Sequence, residues 1–164
     1  MNYHQLLTWP RPLRWGLGLS GIVLIYLLGS IPGDYRPAAA GGGWAYFSNY
    51  LHQPLYAFVG LGFLVALRRR NEGWQDWLLA AGYAFGLGIL DEIHQANVEG
   101  RSSSLWDLGS DALGAFGIAY LAFLTTQGDR WRSELPILFL LLALSLAWNC
   151  IPAFAPEQPL PFLR

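Results

Sequence analysis

Five stretches of this chain, 15–31, 49–67, 74–93, 105–124 and 135–154, are apolar over lengths that few soluble proteins tolerate. Each comes close to the roughly 17–25 residues a helix needs to cross a bilayer's hydrocarbon core. Each is flanked by Trp, Tyr or Arg, which settle at headgroup depth. A buried core helix of a soluble domain rarely recurs five times in a chain of 164 residues. Charged residues make up only 13% of the chain, against about a quarter in soluble domains. The pattern predicts an all-α, polytopic membrane bundle of five transmembrane helices, forming one domain over 1–164.

Other classes drop out quickly. The formal charge is −1 and every basic residue is Arg, so no basic patch awaits nucleic acid. The single cysteine, Cys150, cannot form an internal disulfide and reads as a buried, inert thiol in an apolar run. Small residues at 37–41 could mark a signal-peptide cleavage site, but they lie far from the end of the first apolar stretch, so an uncleaved helix is expected. The run Ala38 to Gly43 reads as a flexible loop, and the Pro-rich tail from Pro152 to Pro161 cannot be helical throughout.

Arginine bias across short loops sets the expected orientation. With the N-terminus cytoplasmic, the inner side collects Arg11, Arg14, Arg68, Arg69, Arg70, Arg130 and Arg132, leaving Arg36, Arg101 and Arg164 outside. This predicts N-terminus in and C-terminus out. It also brings the chain's unusual polar residues to one depth. The third stretch ends outward at Asp91 to Gln95, the fourth begins outward with Asp107 and Asp111, and the second carries His52 near its outer end.

These residues need explaining. Asp91, His94 and Gln95 share a helix face, with Glu92 pointing elsewhere. Two adjacent carboxylates at a helix C-terminus oppose the macrodipole, and acids at membrane depth usually face the bundle interior or a wet cavity. Arg101, turned back by Gly100, is the local counter-charge. Ser104 followed by Asp107 reads as a capping pair. Asp111 lies a turn deeper on Asp107's face, followed by Gly114 and Gly117, which would admit a neighbouring helix closely. His52 and Tyr56 are i, i+4 partners, and Pro54 between them is expected in a first helical turn. Asp91, Glu92, Glu99, Asp107 and Asp111 face only Arg101 and the histidines, so protonation or a bound cation must relieve the charge. No HxxxH or CxxC spacing is present, and a metal is not expected on that ground. Glu99 reads as solvated loop, and His4 has no evident role.

Taken together, Asp91-Glu92-x-His94-Gln95, Gly100-Arg101, Asp107, Asp111, Gly114 and Gly117 resemble the signature of the VanZ-like family of small bacterial membrane proteins. His52 with Tyr56, followed by Gly60 to Leu64, is similar to that family's earlier motif. The resemblance covers the motif-bearing core 49–124; the flanking helices 15–31 and 135–154 match only as hydrophobic spans. The chain departs from the family pattern at Asn97, where an aromatic is usual, and at Glu99, where proline is. The resemblance implies a multi-pass protein of the bacterial cytoplasmic (inner) membrane with a cell-envelope role linked to glycopeptide antibiotic resistance. It names no cofactor and no settled reaction.

Two functions follow as expectations. In the first, an outer-leaflet site handles a lipid headgroup or lipid-linked glycan. Asp91, Glu92, His94 and Asp111 are its candidate acid–base groups, and Arg101, Gln95, His52, Tyr56 and Asp107 its candidate binding groups. Arginine suits phosphate because its planar fork donates bidentately. In the second, the protein is a non-catalytic accessory subunit of a membrane complex, the same pocket holding a lipid headgroup, a glycopeptide or a partner subunit without turnover; a purely structural reading has the polar residues staple the bundle through hydrogen bonds. An ion-coupled transporter ranks third, because the acids lie near one surface and no inverted repeat is visible.

Overall fold

The computed structural model describes residues 3–32, 41–67, 74–125 and 132–151. Their regular structure is wholly helical: α1 (Tyr3–Leu7), α2 (Arg11–Gly29), α3 (Gly41–Leu67), α4 (Trp74–Gln95), α5 (Leu105–Leu124) and α6 (Leu135–Cys150). The expected helices over the five apolar stretches are all present, with the short α1 added before them. Among the described residues, three helical stretches are long and apolar enough to cross a membrane: Arg11–Gly29, Tyr50–Leu67 and Leu105–Leu124. The described part of α6 is shorter, at 16 residues, and α4 carries Asp76, Asp91 and Glu92.

Two expectations change at α3. The helix opens at Gly41 rather than near residue 49, so Gly41 to Gly43 are helical and not loop. Glycine's helix penalty is only about 1 kcal/mol, and a continuing helix satisfies its own backbone groups. Pro54 consequently stands inside the helix, not in its first turn. It withholds a donor from the carbonyl one turn back. Residues 33–40, including Arg36, lie outside the described residues, as do Arg68 to Arg70, Arg130 and the tail from Pro152 to Arg164.

Consecutive long helices run antiparallel. Arg14 Nη1 at the start of α2 donates to the Val65 carbonyl at the end of α3, at 3.3 Å. Trp77 near the start of α4 packs on Phe123 near the end of α5, with ring centroids 5.9 Å apart. Helix α3 is central and packs against each of the other four long helices. The core holds Ile25, Tyr56, Val59, Phe63, Leu64, Ala80, Ala84, Ala115 and Ala122.

The packing is inverted relative to a water-soluble bundle. Helix α2 buries Gly18, Gly21, Ile25 and Gly29 while exposing Leu13, Leu19, Val23, Leu24, Leu27 and Leu28. Small residues face inward, where they let backbones approach, and large apolar ones face outward, the arrangement of helices whose surroundings are as apolar as leucine. Helices α4 and α5 each bury one stripe. It runs Ala80, Ala81, Ala84, Gly88 and then Asp91, Glu92, Gln95 in α4. In α5 it begins Ser110, Asp111 and continues Gly114, Ala115, Ala119, Ala122. Because the two helices are antiparallel, their polar ends meet.

Candidate functional site: a buried acid–histidine cluster

The end of α4 and the start of α5 are joined by nine residues that turn at Gly100, whose φ of 71° lies in the left-handed region that glycine adopts without strain. The turn carries Arg101 across to α2, where Nη1 donates to the carbonyls of Leu28 at 2.9 Å and Gly29 at 3.4 Å. These are among the last carbonyls of α2, which have no partner within the helix. Arg101 thus acts as a C-terminal cap supplied from another segment.

Glu92 plays the matching part for α5. Its Oε2 accepts the backbone N–H of Ser104 at 2.5 Å, while Ser104 Oγ accepts the N–H of Asp107 at 3.3 Å. In a capping box, the acid at the third helical position would reach back to the cap residue's N–H. Here Glu92 makes that bond from α4, and Asp107 is left to face His52. The positive end of α5's dipole lies beside Glu92 and Asp107, an arrangement that favours carboxylates. Glu92 was expected to diverge from Asp91, and it does, into the bundle, where it is fully buried.

His52 enters from α3. Its Nδ1 shares a hydrogen bond with Asp111 Oδ1 at 2.8 Å, its Nε2 lies 3.8 Å from Asp107 Oδ2, and its ring stacks parallel to Tyr56. Asp91 lies on the α2 side of the cluster: its Oδ2 accepts from Gln95 Nε2 at 2.7 Å and from Tyr56 OH at 3.4 Å. His94 lies apart from these groups. Its Nε2 is 2.9 Å from Ser30 Oγ, whose own proton goes to the Tyr26 carbonyl, so the imidazole N–H is the donor. The ring stacks on Tyr26 at 4.8 Å.

No family model, curated protein or solved structure matches this chain.

The candidate residues therefore divide into three groups. His52, Glu92, Asp107 and Asp111 converge where α3, α4 and α5 meet. Asp91, Gln95 and Tyr56 form a hydrogen-bonded triplet beside them, and Arg101 and His94 lie along α2. Between the last two groups opens a pocket of about 160 Å³, lined by His52, Asp91, Gln95 and Arg101 with Ile25, Leu28, Leu51 and Leu55 among its apolar walls. A second, larger pocket of about 470 Å³ between α3, α5 and α6 is lined half by Leu and Ile, with Tyr50, Gln53 and Ser145 as its polar side chains.

Three carboxylate oxygens in this region are buried without a hydrogen-bond partner: Asp91 Oδ1, Glu92 Oε1 and Asp111 Oδ2. Two glycines make room for two of them. A Cβ on Gly29 would lie 2.5 Å from Asp91 Oδ1, and one on Gly88 would lie 2.7 Å from Asp111 Oδ2. Sequence reading did not single out either glycine as a seat for an acid, because the helix that holds the acid is in each case a different one. It also passed over Asn149 and Ser145, which tie α6 to the bundle. Asn149 Oδ1 lies 3.4 Å from Ser110 Oγ of α5, and Ser145 Oγ donates to Gln53 Oε1 of α3. Their i, i+4 spacing in an otherwise apolar helix was the available signal.

Proposed function

We propose that the chain is a multi-pass membrane protein of VanZ-like type with its N-terminus inside, whose outer-leaflet site handles a lipid headgroup or a lipid-linked glycan. The observation that carries this reading is the pocket between α2 and α3. It combines acid, amide, imidazole and guanidinium groups with leucine and isoleucine walls, the composition that an amphiphile's boundary between headgroup and chain requires. Asp91 is the group to bet on as base or headgroup acceptor. It lines the pocket, and its Oδ1 has no partner of its own. Arg101 also lines it, although Nη1 is already donating to α2 carbonyls. Its contribution to phosphate binding then comes from its charge. His94, paired with Ser30, orients the α2 wall.

The test compares lipid and lipid-linked glycan extracts from bacteria expressing wild type, Asp91→Asn or neither, at matched protein levels. A species that appears or disappears only with wild type supports the reading and names the substrate class. Identical extracts, with the variant folded and abundant, favour an accessory subunit instead. The exposed faces of α2 and α6, the latter with Phe139, Leu140, Leu142 and Leu146 outward, would then be where a partner helix docks.

A further inference from the structure

The acids of the cluster outnumber its cationic groups, and the geometry points to what balances them. One ring nitrogen of His52 and one oxygen each of Glu92 and Asp111 lie within 4.8 Å of one another, all three residues being buried. Glu92 and Asp111 are fully buried, and each retains one oxygen without a hydrogen-bond partner. A buried acceptor left unmatched costs on the order of 1–3 kcal/mol, more when charged. Two such acceptors beside an imidazole on three different helices make a donor set, not a chance grouping of surface acids.

We propose that His52, Glu92 and Asp111 form a binding site for one divalent first-row transition-metal ion. An imidazole nitrogen with two carboxylate oxygens suits Zn²⁺ or Mn²⁺; Ca²⁺ and Mg²⁺ favour all-oxygen shells. Donors in a tetrahedral zinc site lie about 3.4 Å apart, given bond lengths of about 2.0–2.2 Å. The 2.8 Å between His52 Nδ1 and Asp111 Oδ1 opens slightly and the longer separations close slightly to reach that value. The cation takes the place of the proton now held between Nδ1 and Asp111, and that proton passes to Nε2 as the neutral imidazole changes tautomer. The imidazole proton then resides on Nε2, facing Asp107 Oδ2 at 3.8 Å. Asp107 thereby becomes the outer carboxylate that orients a metal-bound histidine. Access is through the pocket that His52 lines. Three protein ligands leave a fourth position open to water or to an anionic oxygen of a ligand.

Sequence spacing could not reveal this site, since the three donors come from three helices and no two share one. It is independent of the headgroup reading: metal binding can hold while the lipid extracts show nothing, and the reverse.

The experiment uses full-length protein without a polyhistidine tag, purified in detergent, stripped with chelator and titrated with Zn²⁺ in competition with a chromophoric chelator. Wild type binds one equivalent, and Ca²⁺ and Mg²⁺ at equal concentration do not compete. His52→Asn, Glu92→Gln and Asp111→Asn each weaken binding by more than ~100-fold. Asp107→Ala weakens it by about 10–100-fold, as loss of an outer partner does. His94→Gln and Asp76→Asn leave it unchanged. Absence of saturable binding to wild type overturns the proposal, as does binding that survives His52→Asn and Asp111→Asn. Should those variants fail to fold, X-ray absorption of zinc-loaded wild type decides. One imidazole with oxygen neighbours supports the site; sulfur or two imidazoles overturns it.

Discussion

Glu92 of α4 accepts the backbone N–H of Ser104 and so caps a helix to which it does not belong. The bond separates two roles that one acid would ordinarily combine, and it ties the fold of α5 to the burial of a carboxylate on α4. Replacing Glu92 by Gln keeps an oxygen acceptor and removes one acid from a crowded cluster. Its effect on stability is expected to fall within about 1 kcal/mol. Glu92→Ala removes the acceptor and leaves the N–H at the start of α5 unmatched, with an expected loss of about 1–2 kcal/mol. Thermal unfolding in detergent, read by tryptophan fluorescence, should rank wild type and Gln close together and Ala clearly below.

Arg101 closes the other end of the same loop by donating to α2 carbonyls. Arg101→Ala should destabilise by about 1–2 kcal/mol, because carbonyls at the end of α2 lose a charged donor. Arg101→Lys should recover part of that, since an ammonium can reach one carbonyl but lacks the planar fork. Equal stability of the Ala variant and wild type would show that α2 does not depend on this cap.

Gly29 and Gly88 test the site without removing any of its polar groups. Gly88→Ala would push against Asp111, and Gly29→Ala against Asp91 Oδ1. Gly29→Ala should displace its carboxylate at a stability cost of about 1 kcal/mol or less, because the far end of a side chain can swing away, whereas Gly88→Ala also presses on Asp111 Cβ at 3.2 Å and should cost about 1–3 kcal/mol. The Asp91-dependent lipid signal should fall in Gly29→Ala, and Zn²⁺ affinity in Gly88→Ala. The controls are Gly82→Ala and Gly86→Ala in α4, where a Cβ meets nothing within 4 Å. They should leave both readouts intact and gain about 0.5–1 kcal/mol from helix propensity.

Gly114 and Gly117 were expected to serve one purpose, and the structure separates them. A Cβ on Gly114 would overlap the backbone carbonyl of Gln53, whereas one on Gly117 meets nothing within 4 Å. Backbone cannot rotate aside as a side chain can. Gly114→Ala should therefore force α3 and α5 apart and destabilise by about 1–3 kcal/mol, with Gly117→Ala neutral or slightly stabilising. Unfolding midpoints of the two variants measured side by side would decide.

The proposed orientation predicts which side each loop faces. In a Cys150→Ser background, Ser102→Cys between α4 and α5 should react with a membrane-impermeant maleimide added to intact spheroplasts. Ser133→Cys, ahead of α6, should react only after permeabilisation. The opposite pattern would invert the bundle and move the cluster to the inner leaflet.

The all-helical architecture was legible in the sequence because apolar length is a local property: a stretch of about twenty such residues has few other ways to satisfy its backbone. The Ser104 cap was legible for the same reason, its partner Asp107 lying three residues away. The start of α3 was not, since the glycines at 41–43 weigh against a helix by propensity alone and context overrides that preference. Local periodicity gave Asp91, His94 and Gln95 one face, but the packing of α2 decided that His94 would pair with Ser30 and not with the acids. Antiparallel packing brought the polar ends of α4 and α5 together, and only the crossing of α3 against them placed His52 between Asp107 and Asp111. Which residues meet across helices depends on crossing positions and on where Gly29, Gly88 and Gly114 allow close approach. Those are relations between segments far apart in the chain, so the tertiary structure alone determined them.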